Sequence, residues 1–77
     1  MNTQELKELF KAIEREDIKE SDTELLSSGK IDSLDIMALV AAIEKHFHQA
    51  LKAEFIKAEN FESFKSIQAM IKEAFGK

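Results

Sequence analysis

Apolar residues recur at helical spacing in three segments of this 77-residue chain, and no proline interrupts any of them. Spacings of i, i+3, i+4 and i+7 place side chains on one face of an α-helix. The three stripes are Leu6, Leu9, Phe10 and Ile13; Ile36, Leu39, Val40, Ile43 and Phe47; and Phe64, Ile67, Ile71 and Phe75, with Met70 and Ala74 beside the last. Because no segment alternates as a strand does, the sequence predicts an all-α fold.

The ends and the interior of these helices are also predicted. Thr3 is placed to cap the first helix, which we expect to run to about Arg15. Gly76 marks the C-terminal end of the last helix. We expect the core to include Met70 and five phenylalanines: Phe47, Phe55, Phe61, Phe64 and Phe75.

Two connections separate the helices. Residues 16–32 form a long one, and its four aliphatic side chains predict that it packs on the core: Ile18, Leu25, Leu26 and Ile31. Residues 48–62 contain neither glycine nor proline, but a helix continuing from 33 to 59 would exceed ordinary lengths, so we expect a break. The expected architecture is a four-helix bundle of three longer helices plus a short third helix, in a single domain spanning 1–77.

Composition excludes several classes of function. Without cysteine the chain has no disulfide, no cysteine-ligated zinc or iron–sulfur cluster and no thiol of its own. A net charge of −4 argues against a nucleic-acid partner bound through its phosphates. No apolar run is long enough for a membrane span, and we expect a cytoplasmic protein. No nucleophile–base pair or glycine-rich phosphate cradle is present, so we do not expect an enzyme.

Negative charge is concentrated in residues 14–24, which hold six acidic and two basic residues. Such a field steers a basic partner and speeds encounter, although a solvated polar loop accounts for the same pattern. We expect no metal site. The acids lack the glycine of a calcium loop, and His46 and His48, two residues apart, point to different sides of a helix.

The most informative run, residues 29–35, opens the second helix. In one interpretation it is a helix cap: Asp32 or Ser33 accepts a hydrogen bond from a free N–H of the first turn, and Asp35 opposes the positive helix end. In the other, the Ser33 hydroxyl carries a phosphate ester beside those N–H groups, at a cost imposed by the two neighbouring acids. The two flanking carboxylates suggest instead that a cationic or metal-bearing enzyme docks here. Composition and spacing do not choose between these interpretations.

A resemblance to a known protein family favours the interpretation in which Ser33 carries a phosphate ester. It is carried by Thr23-Glu24-Leu25-Leu26, by Ser28-Gly29-Lys30-Ile31-Asp32-Ser33-Leu34-Asp35, by the apolar stripe of the second helix with its ending Glu44-Lys45-His46-Phe47, and by Glu59-Asn60-Phe61-Glu62-Ser63-Phe64. Over about residues 6–75 the chain resembles the acyl carrier proteins, which are small acidic four-helix proteins. They carry 4′-phosphopantetheine on the serine of an Asp-Ser-Leu motif.

The resemblance implies roles for particular residues. Ser33 would receive 4′-phosphopantetheine from coenzyme A through a phosphopantetheinyl transferase. Asp32 and Asp35 would position basic groups of that enzyme, and Leu34 and Met37 would give apolar contact. The carrier itself would catalyse nothing. As a monomer it would present acyl or aminoacyl thioesters to loading and processing enzymes of fatty-acid, polyketide or nonribosomal peptide biosynthesis.

The chain also departs from the typical pattern. Ala38, Lys45 and His46 stand where fatty-acid carriers often have glutamate, which weakens the acidic field of the second helix. Alanines replace common prolines at 53 and 58, and His48 replaces a common glycine. These changes favour a specialised stand-alone carrier over the housekeeping one. The alternative is a small helical interaction module that binds partners through the second helix and is never modified.

Overall fold

The computed structural model describes residues 1–76 and contains three α-helices: α1 (Thr3–Ala12), α2 (Ser33–Phe47) and α3 (Phe64–Phe75). No strand occurs in this part of the chain, so the all-α prediction is confirmed. Between α2 and α3 the chain forms two 3₁₀ turns, Ala53–Phe55 and Ala58–Phe61, where a short third helix was expected. Lys57 between them is extended, with φ −122° and ψ 145°, which separates the turns and prevents one continuous helix.

The prediction that Thr3 caps α1 is wrong, because Asn2 does so. The Asn2 side chain accepts a hydrogen bond from the Glu5 N–H at 2.8 Å, and the Glu5 carboxylate accepts one from the Asn2 N–H at 3.0 Å. This reciprocal pair is a capping box. Thr3 lies one residue inside the helix, and its hydroxyl accepts a hydrogen bond from Gln68 at 3.3 Å, which links α1 to α3.

Helix α1 also ends at Ala12, earlier than the predicted Arg15. Glu14 adopts a left-handed conformation with φ 64°, and its N–H donates to the Lys11 carbonyl while the Arg15 N–H donates to the Phe10 carbonyl. Those two bonds form the usual glycine-capped helix end with a glutamate in the glycine position. The sequence carries no glycine to signal it, and the reversal directs Arg15 away from the helix.

The expected break after the second helix is confirmed. Helix α2 ends at Phe47, and His48 has a left-handed φ of 55°, the geometry that favours glycine. The Glu44 carboxylate then accepts a hydrogen bond from the Leu51 N–H at 2.7 Å, which turns the chain and buries Leu51. Gly76 ends α3 as predicted, with φ 72° and its N–H bonded to the Lys72 carbonyl.

The core is formed by the inner faces of the three helices and by the long connection. Of the connection's aliphatics, Ile18, Leu25 and Ile31 are buried and Leu26 is half-buried, so its packing on the core is confirmed. Phe61, Phe64 and Met70 are buried as expected. Three further phenylalanines pack against the core but are only partly buried: Phe47, Phe55 and Phe75. Two of them lie at the last residues of helices, where packing is one-sided.

Glu62 joins the long connection to the start of α3. Its carboxylate accepts hydrogen bonds from the Leu26 N–H at 2.8 Å, from the Ser27 N–H at 2.9 Å and from the Ser27 hydroxyl. Its carbonyl accepts another from the Leu25 N–H at 2.8 Å. The connection that leads to α2 is therefore held by one side chain some 35 residues away in sequence.

The Glu62 contacts predict a pH-dependent contribution to stability. The hydrogen bonds from Ser27 lower the pKa of Glu62 below its ordinary value of 4.5. A carboxylate with a lowered pKa in the folded state stabilises that state above pH 4.5, and the contribution is lost as the pH falls through the folded-state pKa. We expect Glu62→Gln to lower the urea midpoint at neutral pH and to approach the wild type in acid. The matched control is Glu59→Gln, at an exposed carboxylate. Equal urea midpoints for Glu62→Gln and wild type at neutral pH would show that the Glu62 carboxylate does not stabilise the fold.

None of the helices in residues 1–76 is long and apolar enough to cross a membrane.

Candidate cofactor attachment site

Ser33 is the first residue of α2, and the preceding residue makes the cap. The Asp32 carboxylate accepts a hydrogen bond from the Asp35 N–H at 3.0 Å, and the Asp35 carboxylate accepts one from the Asp32 N–H at 3.1 Å. Asp32 is extended, with φ −126° and ψ −175°, as a cap residue should be. Of the two candidate caps, the structure therefore uses Asp32.

Because Asp32 makes the helix cap, the Ser33 hydroxyl is left free. The residue is exposed, and its side chain makes no hydrogen bond to any other residue that the structure describes. A hydroxyl used as a cap would have to break its bond before reacting, whereas this one is available at the surface. Ser33 thus meets the first requirement for a residue that an external enzyme modifies.

Two large apolar side chains lie next to this serine at the surface. Leu34 is 77% exposed and Met37 is 65% exposed, and their i, i+3 spacing puts them on one side of α2. The opposite side of the helix is buried through Ile36 and Leu39. Covering exposed apolar side chains lowers the free energy, so Leu34 and Met37 have the chemistry that suits a contact surface.

The second acid of the motif is in a different environment from the first. Asp35 is half-buried, and its carboxylate lies 2.5 Å from Nη1 of Arg15. Arg15 Nη2 donates to the Lys30 carbonyl at 2.5 Å, and Arg15 also pairs with Asp17 at 3.0 Å. One guanidinium thus joins the end of α1, the long connection and the first turn of α2.

This geometry shifts the pKa values of Arg15 and of Asp17. Hydrogen bonding to Asp17, and then to Asp35, raises the pKa of Arg15 above its ordinary value, and the Arg15 hydrogen bond lowers the pKa of Asp17. The sequence alone did not predict that Arg15 is part of the site, because Arg15 contacts residues that lie as far as 20 positions away. The available signal was that it is the only arginine in the chain. A planar guanidinium presents five N–H donors in a fixed geometry, which suits several oxygen acceptors at once.

Part of the acidic segment 14–24 is paired within the molecule. Asp22 accepts hydrogen bonds from Lys30 Nζ at 2.8 Å and from the Lys19 N–H at 2.9 Å, and the Lys30 bond lowers its pKa. Glu20 lies 4.0 Å from Lys7. The exposed acids of the segment that have no ion pair within residues 1–76 are Glu14, Glu16 and Glu24. Steering of a partner by this segment stays a prediction.

The histidines have separate surroundings. His46 lies 3.6 Å from the Glu5 carboxylate and packs edge-on against Phe47. His48 forms the turn after α2. Within the described residues, no group of three or more histidine, aspartate or glutamate side chains could hold a metal ion.

A comparison with protein families gives a match over nearly the whole chain. The family described as "Phosphopantetheine attachment site" matches residues 4–74. Searches of curated proteins and of solved structures found no match.

The site suits the group that this family carries. A phosphopantetheine ester needs a hydroxyl that is open to solvent and free of internal bonds, and the first turn of α2 offers one at Ser33. An anionic ester on this hydroxyl would lie at the N-terminus of a 15-residue helix, where the dipole favours negative charge. The match over residues 4–74 means that the chain belongs to the phosphopantetheine-binding family of acyl-carrier-type proteins, whose cofactor is covalently attached 4′-phosphopantetheine.

Proposed function

We propose that this protein carries acyl or aminoacyl groups on a 4′-phosphopantetheine arm attached to Ser33 and presents them to partner enzymes. The exposed and unbonded hydroxyl of Ser33 is the observation that supports this most directly. The arm supplies a terminal thiol on which cargo is held as a thioester, which a chain without cysteine needs. The protein is the substrate of the attaching enzyme and performs no catalysis itself.

Attachment is a phosphoryl transfer from coenzyme A. The Ser33 oxygen forms the new bond to the phosphorus that bears pantetheine, the pyrophosphate P–O bond breaks, and adenosine 3′,5′-bisphosphate leaves. The serine proton passes to a base of the phosphopantetheinyl transferase, which also supplies the Mg²⁺. The contribution of this chain is to hold the hydroxyl at the surface beside Asp32, Leu34 and Met37, through which we propose that the transferase docks.

The weak negative charge on the outer face of α2 favours a specialised carrier over the housekeeping fatty-acid carrier. Ala38 and Lys45 are exposed on this helix, where fatty-acid carriers often have glutamate. Glu44 is only half exposed, because its carboxylate is bonded to the Leu51 N–H. Partners in lipid or natural-product biosynthesis would therefore meet a face with little free negative charge. A single all-α carrier domain acting as a cytoplasmic monomer completes the proposal.

Incubation of the purified protein with coenzyme A, Mg²⁺ and a broad-specificity phosphopantetheinyl transferase tests the proposal. We expect the intact mass to rise by one phosphopantetheine unit, and peptide mapping to locate the unit on Ser33. A known carrier protein serves as the positive control. If that control is modified and this chain is not, the exposed Leu34 and Met37 belong to an unmodified interaction module instead.

A further inference from the structure

The two carboxylates on either side of Ser33 are not equivalent. Asp32 is exposed and bonded only within its capping box. Asp35 makes the other half of that box and is also paired with Arg15 at 2.5 Å, with 22% of the Arg15 side chain and 25% of the Asp35 side chain accessible. Sheltered ion pairs are screened by salt much less than exposed ones, so we expect this pair to persist as the salt concentration rises.

We infer that Arg15 withholds Asp35 from partner enzymes, so that of the two acids flanking Ser33 only Asp32 meets the basic groups of the transferase. This inference rests on the proposed function. Arg15 acts here as a positioning residue, since it contacts neither Ser33 nor the cofactor. It fixes the charge pattern that a partner meets around the reactive hydroxyl.

A basic group of a partner would have to compete with Arg15 for the Asp35 carboxylate. A group that approached Asp35 would meet the positive charge of a guanidinium that is held at three places, by Asp17, by Asp35 and by the Lys30 carbonyl. Arg15 would repel that group and already balances the charge of Asp35. Asp32 presents no such barrier, because its carboxylate has no cationic partner within residues 1–76.

Transferase kinetics on charge variants test the inference. Asparagine is the suitable replacement, because it keeps the oxygen that accepts the capping hydrogen bond and removes only the charge. We expect Asp32→Asn to raise KM for the carrier about fivefold, the upper range for an exposed ion pair, and to weaken its salt dependence. Asp35→Asn is expected to change KM less than twofold, because Arg15 keeps Asp17 as its partner. Glu73→Gln removes an exposed charge on α3 and is the matched control for net charge.

The decisive comparison repeats Asp35→Asn in an Arg15→Met background. Without the guanidinium, Asp35 becomes available, so there its neutralisation should raise KM by about as much as Asp32→Asn does in the wild type. A merely structural role for Arg15 would not make the effect of Asp35→Asn depend on the background. Circular dichroism and urea unfolding check that each variant folds.

Two results would overturn the inference: Asp35→Asn alone raising KM as much as Asp32→Asn, or Asp35→Asn having the same effect in both backgrounds. Where Arg15→Met does not fold, Arg15→Gln takes its place, since its amide removes the positive charge and still donates hydrogen bonds to nearby oxygens. A wild-type protein that accepts no phosphopantetheine would instead contradict the proposed function, so the two failures are distinguishable.

Discussion

Ser33→Ala is expected to accept no phosphopantetheine while keeping the wild-type fold. The substitution removes the oxygen that forms the bond to phosphorus, so the loss of incorporation should be complete. Stability should change little, because the Ser33 side chain is exposed and makes no hydrogen bond within the described residues, and the cap is made by Asp32. Surface substitutions of this kind usually change the free energy of unfolding by at most about 0.5 kcal/mol.

Intact-mass spectrometry after incubation with coenzyme A and the transferase measures the effect. Ser28→Ala is the matched control, since Ser28 is another exposed serine a few residues upstream. It should be modified at the wild-type rate. Ser33→Thr should be modified slowly, because its extra methyl group crowds the attacking oxygen and restricts its rotamers. Incorporation into Ser33→Ala would show that the arm is attached elsewhere.

The second large effect concerns the core. Phe10 on α1 is 1% exposed and stacks on Phe64 of α3, with ring centroids 5.3 Å apart and planes within 7°. Phe10→Ala should cost about 3–5 kcal/mol, because it removes apolar burial and leaves a cavity. A domain of 77 residues is stabilised by only about 4–12 kcal/mol, at about 0.05–0.15 kcal/mol per residue. The variant should therefore lose a large fraction of the free energy of unfolding of the domain.

Urea unfolding followed by circular dichroism checks this prediction. The control is Phe75→Ala, because Phe75 also stacks on another ring, that of Phe47 at 4.7 Å, but is only partly buried. Its loss should be clearly smaller than that of Phe10→Ala. Equal losses at the two positions would mean that burial does not determine the energetics.

The helices and the attachment motif could be predicted because their signals are local. Apolar spacing located all three helices, and a short polar run identified the start of α2 at Asp32 and Ser33. Helix ends were less predictable. Asn2 and Thr3 are both good caps by type, and Glu14 takes a left-handed position with no glycine to announce it. Such choices depend on small energy differences that neighbouring segments settle.

The interactions around the site could not be predicted, because they join residues that are distant in sequence. Arg15 reaches Asp35 across 20 positions, and Glu62 reaches Ser27 across 35. Nothing in the local pattern distinguishes these charges from the many others on a chain of which 34% is charged. The sequence by itself determined the helical fold and the serine that stands at the start of α2. Only the tertiary structure decided which of the two neighbouring acids is free, because an ion pair between distant residues forms when folding brings them together.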